Sequence, residues 1–228
     1  MNVTICFIGA GNMAKSLIGG LIASGYNKEK IIATDPSNEQ RAALTQSLGI
    51  KCYDNNQHAI EKSDVVVLAV KPQVLQTVCN DIQNSIQAKS SLVISVAAGI
   101  RSQDINHSLA GNVSIVRAMP NTPAAVGRGI TVAVPNSRVS PAQQTTSDEL
   151  LSAVGEVAWI TDEAQIDAVT ALSGGGPAYV FLLMEVMAAA GVARRVLMRR
   201  KTGARSRRAS AVGPAAAPGS TPCVNRVD

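Results

Sequence analysis

Val3-Thr4-Ile5-Cys6-Phe7-Ile8 runs straight into Gly9-Ala10-Gly11-Asn12-Met13-Ala14, and this junction constrains the fold more than any other part of the chain. A short, β-rich apolar run that ends on glycine reads as a buried strand. The segment from about Asn12 to Ser24, stopped by Gly25, reads as the helix that follows it. Strand, GxGxxA turn and helix in that order open a βαβ unit suited to a dinucleotide. The first glycine permits the tight turn and the second lets backbone approach a pyrophosphate. The small third residue lets helix and strand pack closely, and the helix N-terminus supplies the anion field.

The same alternation continues downstream. Lys30 to Thr34 predicts a second strand, and a helix capped by Ser37 or Asn38 runs to about Leu48. Asp64-Val65-Val66-Val67-Leu68-Ala69-Val70 is apolar without alternation, which requires burial on both faces, as in a parallel sheet covered by helices. Pro72 suits a first helical position for the segment to about Ile86. Ser91 to Val96 and Val113 to Arg117 repeat the strand signal on either side of a helix from Ser102. The predicted fold class is α/β, a Rossmann-type doubly wound parallel sheet. Residues 1–160 are expected to form this dinucleotide-binding domain. Residues 161–190 then begin a helical domain: one helix from Asp162 to Leu172, the turn Ser173-Gly174-Gly175-Gly176, and a second helix from Ala178 to about Ala190. That second helix is apolar nearly all round and must be buried by something.

Charge narrows the partners. The 228 residues carry a net +5, but residues 191–228 contribute +8 and the first 190 contribute −3. The basicity therefore belongs to an Arg/Ala/Pro/Gly/Ser-rich tail whose composition predicts disorder. With 3% aromatic residues, stacking platforms for nucleic acid are not expected. The four cysteines form no CxxC pair and only His58 and His107 accompany them, so neither a disulfide framework nor a metal site is expected. No apolar run is long enough to predict a membrane span, and the N-terminus lacks the basic start of a signal peptide. A cytoplasmic setting without membrane or nucleic-acid partners is the expectation.

Four further strand ends carry polar or small residues beside the glycine loop. After the second strand stands Thr34-Asp35-Pro36-Ser37. An acid here would accept from the ribose 2′-hydroxyl of NAD and repel the 2′-phosphate of NADP, whereas Thr34 and Ser37 could donate to that phosphate. Ala69-Val70-Lys71-Pro72 ends the most apolar strand, and its lysine could touch the cofactor ribose or a substrate carboxylate. Val96-Ala97-Ala98-Gly99 permits close approach of a flat ring, and Arg117-Ala118-Met119-Pro120-Asn121-Thr122-Pro123 makes a rigid loop with a polar tip.

Taken with Leu172-Ser173-Gly174-Gly175-Gly176-Pro177-Ala178-Tyr179, these segments resemble the ordered motifs of the pyrroline-5-carboxylate reductase family over residues 1–190. The resemblance implies reduction of 1-pyrroline-5-carboxylate to proline by hydride transfer from a reduced nicotinamide to the C=N carbon. It implies NADP(H), with NAD(H) as the alternative that Asp35 favours. It further implies a helical domain that interlocks with a second subunit, so that the complete enzyme is a homo-oligomer built on dimers. By resemblance Ile8, Gly9, Ala10, Gly11, Asn12 and Met13 hold the pyrophosphate, while Thr34, Asp35, Ser37 and Asn56 surround the adenosine ribose. On spacing alone Asn56 reads as a helix cap. Ala69, Val70, Lys71, Pro72, Ala97, Ala98 and Gly99 border the nicotinamide half.

Met119, Asn121, Ser173, Gly174, Gly175 and Gly176 are the candidate substrate residues, with backbone N–H groups of the glycine run as carboxylate donors. Gly175 stands where the family usually has serine. The family's Ser-Pro-Gly-Gly-Thr-Thr segment, which carries its hydroxyl donor, has no counterpart in this chain, so no catalytic residue is assigned. Residues 191–228 look like a truncation or a coding region read out of frame. The competing expectations are a catalytically inactive nucleotide-binding fragment and a β-hydroxyacid-type dehydrogenase. The latter's acid/base lysine is not matched, because no lysine lies between Lys89 and Lys201.

Overall fold

The computed structural model describes residues 2–206. Eight strands form one sheet: β1 (Ile5–Ile8), β2 (Ile31–Thr34), β3 (Lys51–Tyr53), β4 (Val65–Leu68), β5 (Leu92–Ser95), β6 (Ile115–Met119), β7 (Gly129–Pro135) and β8 (Gly155–Trp159). Their order is β3-β2-β1-β4-β5-β6-β7-β8. The first six run parallel, β7 lies antiparallel to β6, and β8 is parallel to β7. The helices are α1 (Asn12–Ala23), α2 (Asn38–Leu48), α3 (Asn56–Ile60), α4 (Pro72–Lys89), α5 (Ser102–Ser108), α6 (Pro141–Leu151), α7 (Gln165–Val169) and α8 (Gly176–Ser206).

Strand alternation explains the unbroken apolar runs. Ile5, Phe7, Val65 and Val67 face a core with Ala14, Leu17, Ile18 and Leu21 of α1. Cys6, Ile8, Val66 and Leu68 face the opposite core, built on Leu75, Cys79, Ile82 and Ile86 of α4. Both faces of the sheet are thus covered, so a polar residue at any of these positions would lie in apolar surroundings. The predicted strands and their helices occur with ends displaced by a few residues. β3 and β8 carry weaker signals: β3 is three residues long with a part-exposed edge, and β8 alternates between half-buried and exposed positions, whereas β7 is a mainly buried apolar run beyond the predicted strands.

The last segment differs from its prediction in three respects. Asp162 does begin it, its carboxylate accepting the Ala164 N–H at 2.9 Å, but the glycine run does not open a loop. Residues Thr170–Gly174 form a π-helical turn that passes through Gly175, itself in the right-handed helical region, into α8. Glycine weakens a helix without forbidding it, and one π-turn absorbs the extra residue. The second difference is length. The helix does not stop near Ala190 but continues to Ser206, through Ala, Arg, Leu, Met and Lys, which are strong helix formers. Residues 207–228 of the predicted tail lie outside the described residues. Third, because the glycines do not interrupt it, Gln165–Ala193 is a helical stretch that by length and composition alone could cross a membrane, its most apolar 18-residue window having mean hydropathy 1.6. The sequence expectation that no such run exists is corrected.

Contacts divide the chain at this helix. The described residues up to Tyr179 form one compact unit, and a second begins at Val180. Within the described part of the second unit Phe181, Leu182, Leu183, Met184 and Met187 are exposed.

Candidate active site

The carboxyl ends of β2, β1, β4 and β5 are stitched together at one edge of the sheet. Gly9 N–H donates to the Thr34 carbonyl at 2.8 Å, Ala69 N–H to Ile8 at 2.9 Å and Val96 N–H to Leu68 at 3.1 Å. Gly9 has φ +100°, and a Cβ there would lie 2.6 Å from the Ala69 carbonyl oxygen and 3.1 Å from Val70 Cγ1. Only glycine lets the first and fourth strand ends touch. Gly11 differs: it is exposed, and a Cβ on it would meet nothing within 4 Å. It precedes α1, whose N-terminus has no side-chain cap and no acidic residue in its first turn. The head of a 12-residue helix therefore presents uncapped N–H groups, at Asn12 and Met13 among others, across open space. Ala14 is fully buried, so the small residue serves the packing of α1 on the sheet. This cradle fits the pyrophosphate of a dinucleotide.

The ribose end is set by β2. Buried Thr34 donates its hydroxyl to Asn56 Oδ1 at 2.7 Å. The helix cap at this place is Asn55, whose side chain accepts the His58 N–H at 2.8 Å, so Asn56 is not the cap that its spacing suggested. Asp35 turns inward. Its Oδ2 accepts the Ala10 N–H at 3.0 Å and its Oδ1 the Ser37 N–H at 2.9 Å. Each carboxylate oxygen thus accepts one backbone N–H and keeps a further lone pair for a ribose hydroxyl, so this geometry is compatible with either cofactor. Ser37 Oγ accepts the Gln40 N–H at 3.3 Å and keeps its own proton to donate. Toward the other half, Lys71 is exposed as the residue just before α4, with Pro72 at the first helical position. Ala97 is buried, and Ala98 and Gly99 lie progressively nearer the surface.

A second cluster forms at the end of β6. Asn121, nearly buried, accepts the Ile130 N–H on Oδ1 at 3.0 Å and donates from Nδ2 to the Ser173 carbonyl at 3.2 Å. A Cβ on Gly174 would come within 2.7 Å of Met119 Cε, so the π-turn rests on Met119. Four of the six candidate substrate residues are therefore adjacent. Gly175 N–H is bound to the Thr170 carbonyl at 2.8 Å, which removes it from the expected carboxylate donors. Gly176 has no side-chain neighbour within 4 Å of its Cβ position.

Sequence reasoning missed one network. Arg117 is 3% exposed and donates to Glu163 Oε1 at 3.0 Å, with Asp167 at 3.9 Å. Glu163 also accepts Ser102 N–H at 2.7 Å and Ser102 Oγ–H at 2.6 Å. Burial alone would raise the Glu163 pKa, but the Ser102 hydrogen bonds and Arg117 overcome it and hold the carboxyl below its usual range. A charge inside an apolar strand run was the available signal for Arg117; Glu163 carried none. Burial pushes the Cys6 thiol up to about 12 and that of Cys79 to about 11, so neither is an activated nucleophile. Among the described residues no group of His, Cys, Asp and Glu is arranged to hold a metal. A cleft of 480 Å³ between α4 and α5 shares only Pro72 with these candidates.

Against known proteins, the chain is 46% identical over 211 residues to the pyrroline-5-carboxylate reductase of Pseudomonas aeruginosa, covering 92% of this chain and 76% of that one. The chain belongs to the pyrroline-5-carboxylate reductase family. Residues 163–216 match the family model for pyrroline-5-carboxylate reductase dimerisation, and residues 4–99 match that for NADP oxidoreductase coenzyme F420-dependent. The dimerisation match runs past residue 190, further into the basic tail than the motifs reached. Among solved structures, a pyrroline-5-carboxylate reductase from Coxiella burnetii superposes with TM-score 0.79 at 34% identity, over 97% of this chain and 87% of the other. The Plasmodium falciparum pyrroline carboxylate reductase with NADP bound gives TM-score 0.76 at 26% identity, over 93% and 81%. These reductases account for both the sheet and the start of the helical segment. Neither the inactive-fragment reading nor the hydroxyacid dehydrogenase reading is favoured by them.

Proposed function

We propose that this chain reduces 1-pyrroline-5-carboxylate to L-proline with NADPH, the terminal step of proline synthesis, in the cytoplasm. The observation that carries the reading is the open, uncapped head of α1 behind the Gly9 turn, in a chain of this family. NADPH, when bound, supplies the hydride for the C=N carbon. The protein's part is alignment. Gly9 closes the strand ends, and Gly11 leaves room for the pyrophosphate before the N–H groups of Asn12 and Met13. Thr34, Ser37 and Asn56 hold the adenosine ribose. Ala69, Val70, Lys71, Pro72, Ala97, Ala98 and Gly99 border the ring, their small side chains admitting a flat group.

Met119 and Asn121 fix the Ser173–Gly176 turn as the wall that faces the substrate. A cyclic imine is readily protonated in water, so alignment against the cofactor is the main demand on these residues. The exposed apolar side chains of Val180–Val192 support a homo-oligomer built on dimers, the dimerisation match covering the same helix. A second subunit would bury there the surface that would otherwise pass for a membrane span.

The test is a spectrophotometric assay on the purified chain. Pyrroline-5-carboxylate-dependent oxidation of NADPH, with proline identified as product, supports the reading. Hydroxyacid-dependent reduction of NADP+ in its place, or cofactor binding without turnover, sinks it.

A further inference from the structure

The β2–α2 turn holds one cation. Arg41 is the only basic residue between Lys30 and Lys51, and it does not point freely into solvent. Its Nη1 donates to the carbonyls of Asp35 at 2.7 Å and Pro36 at 3.0 Å, and its Nη2 reaches Asn38 Oδ1 at 3.4 Å. These contacts fix the guanidinium against the turn that follows β2, and Nε and the rest of Nη2 remain able to donate. The same turn contains Ser37, whose hydroxyl proton is free to donate, and Asp35, whose two oxygens are held by Ala10 and Ser37 N–H groups.

From this arrangement we infer that Arg41 sets the cofactor choice, by pairing with the 2′-phosphate of NADPH beside the Ser37 hydroxyl. The inference rests on the reductase reading above and adds a residue to it. A phosphate monoester carries about −1.5 to −2 charges at neutral pH and accepts best from a guanidinium, whose planar donors match its oxygens. Of the other charged groups near this turn, Asp35, Glu39 and Asp54 are acidic, while Lys51 is paired with Glu29 at 2.9 Å and Lys62 lies over the Tyr53 ring. Without Arg41 the rim repels a phosphate; with it, the repulsion is offset at the one place where NADPH and NADH differ. Asp35 keeps a structural part, stapling the glycine loop to β2 through Ala10 (3.0 Å), and that is compatible with either cofactor.

Calorimetric titration of the full chain with NADPH and with NADH, without substrate, tests this. Arg41→Ala is expected to weaken NADPH binding by about ten- to a hundredfold, the worth of one charge-assisted contact, and NADH binding by less than about threefold. Arg41→Lys should recover part of the NADPH affinity, because it restores the charge without the planar fork. Equal losses for both cofactors in Arg41→Ala would show that Arg41 only props the turn. An unchanged NADPH affinity would equally overturn the inference. If wild type discriminates the cofactors through Arg41 yet forms no proline, the reductase reading fails while this assignment stands.

Discussion

Arg117 on β6 and Glu163 ahead of α7, 46 positions apart, are joined by a 3.0 Å ion pair that also captures Ser102 at the start of α5. The pair ties the segment leading into the π-turn to the sheet. Because Arg117 is buried and Glu163 only partly so, the two partners respond differently to substitution. Glu163→Ala strands a buried guanidinium with only the longer contact to Asp167, and should cost about 3 kcal/mol in denaturant unfolding. Glu163 has its pKa lowered by folding, so its stabilising contribution is present above the unfolded carboxyl pKa and is lost as pH falls through the folded value. Wild type should therefore lose stability below about pH 4, and Glu163→Gln should flatten that part of the profile. An unchanged acid profile in Glu163→Gln would refute the assignment.

Gly9 and Gly11 should separate folding from binding. Gly9→Ala forces a Cβ to 2.6 Å from the Ala69 carbonyl at φ +100°, so it should lower the melting temperature and abolish NADPH binding together. Gly11→Ala meets no protein atom within 4 Å, at an ordinary backbone angle. It should melt like wild type and still bind NADPH at least about tenfold more weakly, because its methyl lies where the pyrophosphate must approach. A Gly11→Ala protein with unchanged affinity would remove the pyrophosphate from this cradle.

Asn121→Ala leaves the Ser173 carbonyl and the Ile130 N–H without a partner, at a cost of about 1–3 kcal/mol. Under the substrate role proposed for the Ser173–Gly176 turn, it should raise KM for pyrroline-5-carboxylate and leave NADPH affinity within about twofold. Gly174→Ala, which presses on the flexible tip of Met119, should do the same with a smaller loss of stability. Equal effects on both ligands in steady-state kinetics would count against a substrate-side turn.

Phe181 and Met184, 54% and 60% exposed, should lie in the subunit interface if the dimer forms through α8. Replacing both with lysine should lower the sedimentation coefficient to that of a monomer and improve solubility, since an exposed apolar helix associates non-specifically. Retention of the dimer in sedimentation velocity would place the interface elsewhere.

The sheet was largely legible in the sequence because its signals are local. Val65–Leu68 is apolar at every position since both faces are covered, and Gly9 marks the place where only a residue without Cβ fits. β3 was not legible: three residues on a part-exposed edge carry little hydrophobic pattern. Propensity favours a loop at the glycine run 174–176, yet the chain there stays helical, with Gly174 packed against Met119. Asp35 illustrates the same limit at the site. Its position after β2 marks it as a ribose ligand, but whether it faces ribose or backbone depends on the Ala10 and Ser37 N–H groups, whose directions are set by the turn.

By itself the sequence determined β1, β2, β4, β5 and β6 with the helices α1, α2, α4 and α5, the glycine cradle, and the family whose motifs it carries. These follow from period, from residues without Cβ, and from short contiguous motifs, all of which are properties of neighbours along the chain. Only the tertiary structure decided that Asp35 turns inward, that Arg41 is anchored over the turn, that Arg117 meets Glu163, and that Asn121 holds Ser173. Each is a contact between groups that sequence distance does not encode. The free energy of a hydrogen bond or ion pair depends on burial and geometry that exist only once the sheet has assembled.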